Sequence, residues 1–144
     1  MRYICLGYMD EKRWEQMSEG ERNGFLDECF AYDDVLRKNG HFVDGEALQS
    51  ARNATTLKWR QGKLSITDGP YAETKEQLGG ILVLEATDLN HAIQLMSKHP
   101  SIRMGGCWEI RPAADLTAMM AESERRRSSR GPSMTTIEPK SGPS

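Results

Sequence analysis

The chain has 144 residues, a length that fits one domain. Its formal net charge is -2 and its pI is near 5.9, so it lacks the strongly basic balance that nucleic-acid binding usually brings. Hydrophobic residues make up 38% and charged residues 28%, and no run of about 18 apolar residues exists, which excludes a membrane-spanning helix.

The N-terminal MRYICLGYMDEKRW is too short and too polar beyond Tyr8 for a signal peptide. Its RYICLGY alternates tightly and is apolar on both sides. Tyr3 and Cys5 point one way and Ile4, Leu6 and Tyr8 the other, so the spacing predicts a strand buried on both faces. Ser18 followed by Glu21 is a capping-box pattern that opens a helix. Phe25, Cys29, Tyr32 and Leu36 then fall on one stripe, and Asn39-Gly40 ends the helix.

Short strands come next. The segment His41 to Gln49 contains a predicted turn at Asp44-Gly45. ATTLKWR and KLSIT read as a hairpin closed at Gln61-Gly62, with Leu64 and Ile66 on one side of its second arm. DGPYAETKEQLGG, from Asp68 to Gly80, reads as an irregular stretch. ILVLEAT is again a strand apolar on both faces. Asp88 caps a second helix, which buries Leu89, Ala92, Ile93 and Met96 and stops before Pro100. MGGCWEIRP supplies a last strand, with Trp108 and Ile110 on one face and Cys107, Glu109 and Arg111 on the other.

This order matches a split βαβ unit, the ferredoxin-like β-α-β-β-α-β pattern with an added hairpin. The fold class is α+β, an antiparallel sheet with two helices on one face. The other face is left bare, although ICLGY and ILVLEA carry apolar residues for both. A second copy of the chain is the cheapest cover, which predicts a homodimer. From about Glu122 the sequence turns rich in Ser, Pro, Gly and charge, so residues 1–121 read as the domain and 122–144 as a flexible polar tail. Its RRRSSR, at 125–130, is a solvated end or a contact for nucleic acid or an acidic partner. Cys5, Cys29 and Cys107 are odd in number and match no metal spacing. They read as core thiols in a reducing compartment, the cytoplasm. Neither a metal nor a cofactor is expected.

DGPYAETKEQLGG, followed by a hydrophobic strand, the helix DLNHAIQLMSKHP and then WEIRP, resembles the YCII-related family, in its branch named for a DGPF motif. Tyr71 stands where that motif has Phe. The resemblance runs over roughly residues 1–116. It implies a dimeric α/β barrel of ferredoxin-like protomers, and a functional link to an extracytoplasmic-function sigma factor. It fixes no reaction.

Asp68 matches the family's catalytic or binding aspartate directly. A carboxylate at a Gly-Pro turn serves as a general base or holds a cationic group; equally, Asp at the first turn position bonds its own backbone. Glu73, Lys75 and Glu76 follow. If AETKEQL coils into one helical turn, Glu73 and Glu76 form an i,i+3 carboxylate pair and Lys75 offers an anion contact. Solvated surface charge is the plainer reading. Gly79-Gly80 allows close backbone approach. Glu85, Glu109 and Arg111 each interrupt an apolar strand. If they share the bare side of the sheet they make a polar patch, in which Arg111 pairs with Glu109 or Glu85 as a structural ion pair or a ligand clamp.

Relatives suggest a His–Asp dyad, but no histidine here matches its position. His91 and His99 read as exposed on the second helix, and only His41 is placed to pair with Asp68. Three functions remain open. One is a module that binds a small polar ligand or regulates a partner, without membrane or nucleic acid. The second is an enzyme with Asp68 as base and Arg111 or Lys75 stabilising an anion. The third is a structural dimer without a ligand.

Overall fold

The computed structural model describes residues 1–130. The alternation of the N-terminal segment forms β1 (Arg2–Met9). Tyr3 and Cys5 are buried, while Ile4, Leu6 and Tyr8 on the opposite side are half-buried. A short α1 (Glu11–Gln16) follows, capped by Asp10, whose side chain accepts from the Lys12 N–H. No apolar stripe announces this helix; only its cap is legible.

Helix α2 (Glu19–Lys38) starts at the expected capping box. The Glu21 N–H donates to Ser18 Oγ at 3.1 Å and the Ser18 N–H to Glu21 Oε1 at 3.2 Å. It buries Phe25 and Leu36, with Cys29 and Tyr32 half-buried, and ends at Asn39 before Gly40, whose φ is 79°. β2 (Phe42–Ala47) then runs straight through Asp44-Gly45. The predicted turn is instead a bulge between Phe42 and Asp44, which absorbs one extra residue without reversing the chain. A single 3₁₀ turn at Ala51–Asn53 leads to β3 (Thr55–Arg60) and β4 (Lys63–Asp68). Gln61 and Gly62 join them with φ of 49° and 76°. Two positive φ values are the signature of a tight type I′ hairpin turn.

β5 (Gln77–Glu85) begins before the predicted start at Ile81. Gly79 and Gly80 therefore lie inside the strand, where its register with β1 shifts between Gly7 and Tyr8. α3 (Leu89–Ser97) is capped by Asp88 as expected. As expected, the helix stops before Pro100, and His99 is extended, with ψ of 130°. A new short helix, α4 (Pro100–Arg103), then begins with His99 as its cap, because proline is tolerated at a first helical position. β6 (Cys107–Pro112) closes the sheet.

The sheet order is β2-β5-β1-β6, antiparallel throughout, with the β3–β4 hairpin inserted between β2 and β5 as a two-stranded sheet of its own. This is the expected α+β, ferredoxin-like architecture. Tyr3, Cys5, Leu36, Leu82, Leu84, Ala86, Ala92 and Met96 form its core, on the helix-bearing face.

The chain divides into two compact units. The sheet unit comprises residues 1–56 and 67–113. The second unit comprises the hairpin segment 57–66 and the chain from 114 onward. It contains α5 (Leu116–Ser129), capped by Asp115. The expected boundary at residue 122 falls inside α5: residues 122–129 are helical, since Ala, Met, Glu and Arg favour a helix once it is capped. Residues 131–144 of the expected tail lie outside the described residues.

Candidate functional site on the sheet face

Strand register sorts the side chains of the sheet unit into two faces. Tyr3 lies between Leu84 and Pro112, Cys5 between Leu82 and Ile110, and Gly7 beside Trp108; these face the helices. On the opposite face Ile4 lies between Val83 and Arg111, and Leu6 between Ile81 and Glu109. Arg2 is opposite Glu85, while Asp44 and Glu46 neighbour Val83 and Ile81 from the β2 edge. The face turned away from the helices thus has an apolar centre of Ile4, Leu6, Ile81 and Val83. Asp44 and Glu46 rim it on one side and Glu109 and Arg111 on the other.

Glu85, Glu109 and Arg111 therefore share a face, as alternation implies. They do not form one cluster. Arg111 Nε donates to Glu109 Oε1 at 2.5 Å, whereas Glu85 Oε1 accepts from the N-terminal ammonium of Met1 at 3.0 Å. β1 separates the two carboxylates. The Arg111–Glu109 pair is exposed, 69% and 42% by side chain. An exposed pair of this kind contributes about 0–1 kcal/mol, so folding alone gives little reason for it. One N–H of the guanidinium is engaged by Glu109, and its planar fork retains further donors suited to a carboxylate or phosphate.

The loop after β4 is arranged differently from its sequence reading. Asp68 is the last residue of β4 and exposed, and its side chain makes no hydrogen bond or ion pair with another described residue. It does not bond its own turn. The Gly69 N–H donates to the Ala54 carbonyl at 2.7 Å, and Thr56 Oγ1 to the Gly69 carbonyl at 2.9 Å. Residues 72–76 form no helical turn, so Glu73 and Glu76 are not an i,i+3 pair. The segment bends at residues 75 and 76, and Gln77 folds back on it by donating from Nε2 to the Thr74 carbonyl at 3.0 Å. Glu73, Lys75 and Glu76 are all exposed. The structure does not bring them to the sheet-face residues by any hydrogen bond or ion pair among the described residues.

The histidines are also redistributed. His41 Nδ1 bonds the Glu85 carbonyl at 3.0 Å, and its ring packs edge-on to His91 with centroids 4.9 Å apart. No hydrogen bond or ion pair joins it to Asp68 among the described residues. His91 is half-buried and accepts from the Thr87 N–H at 3.0 Å. His99, expected to be exposed, is 6% exposed, because the chain turns inward at the α3–α4 corner. Burial pushes its imidazole down to about 4.

Around His99 lies a polar cluster that no sequence motif announced beyond the His-Pro-Ser of a helix start. Ser101 Oγ sits 2.7 Å from His99 Nδ1 and accepts the Trp108 indole N–H at 2.7 Å. The backbone N–H of Ser101 also donates to His99 Nδ1, so Nδ1 carries no proton and the Ser101 hydroxyl donates to it. This resembles an activated serine, but Ser101 is 8% exposed and its hydroxyl is already engaged as donor and acceptor. It pins β6 to the helical corner.

The other charge-bearing nucleophiles are quiet. Burial pushes the Cys5 thiol up to about 11. Burial, then Asp33 and Glu28, push Cys29 to about 11 as well. Cys107 is exposed on the sheet face beside Tyr8. Among the described residues, no group of three or more His, Cys, Asp or Glu is arranged to hold a metal ion. None of their helices is long and apolar enough to cross a membrane.

A family model described as the YCII-related domain matches residues 1–117. An uncharacterised protein of Rhizobium meliloti (strain 1021) is 30% identical over 118 residues, covering 79% of this chain and 93% of that protein. The chain belongs to the YCII-related family, the family its Asp68–Gly80 segment resembles.

Proposed function

We propose that this member of the YCII-related family is a homodimeric module of the cytoplasm that binds a small polar ligand on its sheet face and passes that binding to a regulatory partner. One observation carries the reading. An exposed Arg111–Glu109 pair stands at the edge of an apolar floor made by Ile4, Leu6, Ile81 and Val83. Concave or coverable apolar surface with a few convergent polar groups is what small-ligand sites are made of. The pair contributes little to folding, and its guanidinium suits a carboxylate or phosphate.

The homodimer is supported by the half-buried apolar floor, which a second copy would remove from water. The cytoplasmic placement is supported by three free cysteines. Assignment to the DGPF-type branch rests on Asp68, Gly69 and Pro70, with Tyr71 in the aromatic position, and the link to a sigma factor rests on family membership alone. Asp68 is kept as the base of an alternative, enzymatic reading. Its carboxylate is exposed and available, but no acid–base partner engages it among the described residues. A purely structural dimer is the remaining alternative.

A metabolite screen by thermal shift tests the reading. A ligand present at a hundredfold excess over its dissociation constant stabilises the native state by about 2.7 kcal/mol. The hit should lose its effect in Arg111→Gln. A hit whose shift is unchanged in Arg111→Gln would remove the sheet face from consideration.

A further inference from the structure

The second unit is anomalous in two respects. Its hairpin segment carries Leu57, Trp59, Leu64 and Ile66, all exposed, between 42% and 65%. With a two-residue turn at Gln61-Gly62, Trp59 stands opposite Leu64 and Leu57 opposite Ile66, so all four share one face. Helix α5 adds Leu116, Met119 and Met120, also exposed. A small soluble unit rarely leaves its largest apolar residues in water unless something covers them.

The second anomaly is charge. Residues 57–66 and 114–130 hold seven basic and three acidic residues, a net of +4. The sheet unit holds eleven basic and seventeen acidic residues, a net of -6. Residues 131–144 add one of each sign. A chain that is nearly neutral overall is thus strongly divided between its two units. The exposed Arg60 and Lys63 flank the hairpin turn, and the exposed Asp44 and Glu46 rim the apolar floor of the sheet.

We infer that the hairpin is the cover of its partner's ligand site. In the homodimer, the Leu57–Trp59–Leu64–Ile66 face of one copy docks over the Ile4–Leu6–Ile81–Val83 floor of the second copy. Arg60 and Lys63 meet the second copy's acidic rim, and each site is complete only when a partner's hairpin closes it. Apolar face meets apolar face, and basic rim meets acidic rim. The inference rests on the homodimeric binding reading above and adds the surface that builds the dimer. It makes Trp59 a ligand-contacting residue supplied in trans.

Charge reversal with mixing tests it. The variants are Arg60→Glu with Lys63→Glu, and Asp44→Lys with Glu46→Lys, in the full chain. Sedimentation across a concentration series gives the dimer dissociation constant of each. Each variant alone should weaken dimerisation at least tenfold. An equimolar mixture should restore it to within threefold of the native value, because every contact in the mixed dimer is again between opposite charges. Trp59→Ser should weaken the dimer without changing unfolding of the dilute monomer. Both charge variants dimerising like the native chain would overturn the hairpin surface while leaving the homodimer standing; a native chain that is monomeric at micromolar concentration would overturn the homodimer itself. Trp59→Ser that destabilises the monomer and leaves the dimer intact would put the hairpin's cover within its own chain, against the proposal. Intact dimers with lost binding of a fluorescent single-stranded oligonucleotide would assign the basic unit to nucleic acid, again against it.

Discussion

Trp108 lies across Gly7 of the neighbouring strand so closely that a Cβ at position 7 would stand 2.8 Å from the indole Cη2. The ring cannot swing away freely, because its N–H donates to Ser101 Oγ, which is itself bonded to buried His99. A glycine is therefore required by packing at a position where the backbone is ordinary strand. Gly7→Ala should destabilise the fold by about 1–3 kcal/mol, the usual cost of an overpacked core contact. Urea unfolding measures it. In a Trp108→Leu background the same substitution should cost much less, and an unchanged cost would show that the clash is not with the indole.

His99 makes stability depend on pH in a defined direction. Burial holds its folded-state value near 4, against 6.5 for the free side chain. As pH falls through about 6.5 the unfolded chain takes up a proton that the folded chain refuses until about 4. Stability contributed by neutral His99 is therefore full above 6.5 and is lost between 6.5 and 4. The total is on the order of 3 kcal/mol. Urea midpoints at pH 7 and pH 5 should differ in the native chain, and the difference should shrink in His99→Asn. An equal pH dependence in that variant would assign the effect to other groups.

The frame of the fold is legible because its signals are local. Ser18 and Glu21 cap α2, Asp88 caps α3, and Gln61-Gly62 closes a hairpin, each through contacts a few residues apart. Alternation likewise put Glu109 and Arg111 on the face away from Trp108. What escaped is decided by distant partners. Asp44-Gly45 has the composition of a turn, but pairing with β5 keeps it extended. His99 reads as an exposed helical residue until Tyr32, far back along the chain, and Trp108 of the last strand pack against it. The choice of Arg111 for Glu109 over Glu85 depends on strand order, since β1 stands between them.

The cysteines should report on the sheet face. Cys5 is buried and Cys29 half-buried, and both thiols stay protonated, raised to about 11 by burial and, at Cys29, by Asp33 and Glu28 as well. Cys107 is exposed on the face that the proposed dimer covers. A thiol reagent at pH 7.5 should modify one cysteine in dilute protein, and Cys107→Ser should abolish that reaction. Raising the protein concentration into the dimeric range should slow it. A rate independent of concentration would argue that this face stays open.

Arg111 and Asp68 separate the binding reading from the enzymatic one. Arg111→Gln removes a charged fork but preserves a polar, similarly sized side chain. Because the Glu109 pair is exposed, stability should change by no more than about 1 kcal/mol. Binding of a ligand found by thermal shift should fall at least tenfold, equivalent to about 1.4 kcal/mol. Asp68→Asn removes charge and basicity from an exposed side chain that makes no hydrogen bond to described residues, so the fold should be indifferent to within about 0.5 kcal/mol. Binding without turnover predicts no chemical change in the ligand by mass spectrometry after long incubation with the native chain. If product does accumulate, and Asp68→Asn stops it while Arg111→Gln only raises the ligand concentration needed, then Asp68 is the general base and the sheet face is its substrate site. Loss of binding in Asp68→Asn with Arg111→Gln unaffected would move the site to the loop of Glu73, Lys75 and Glu76.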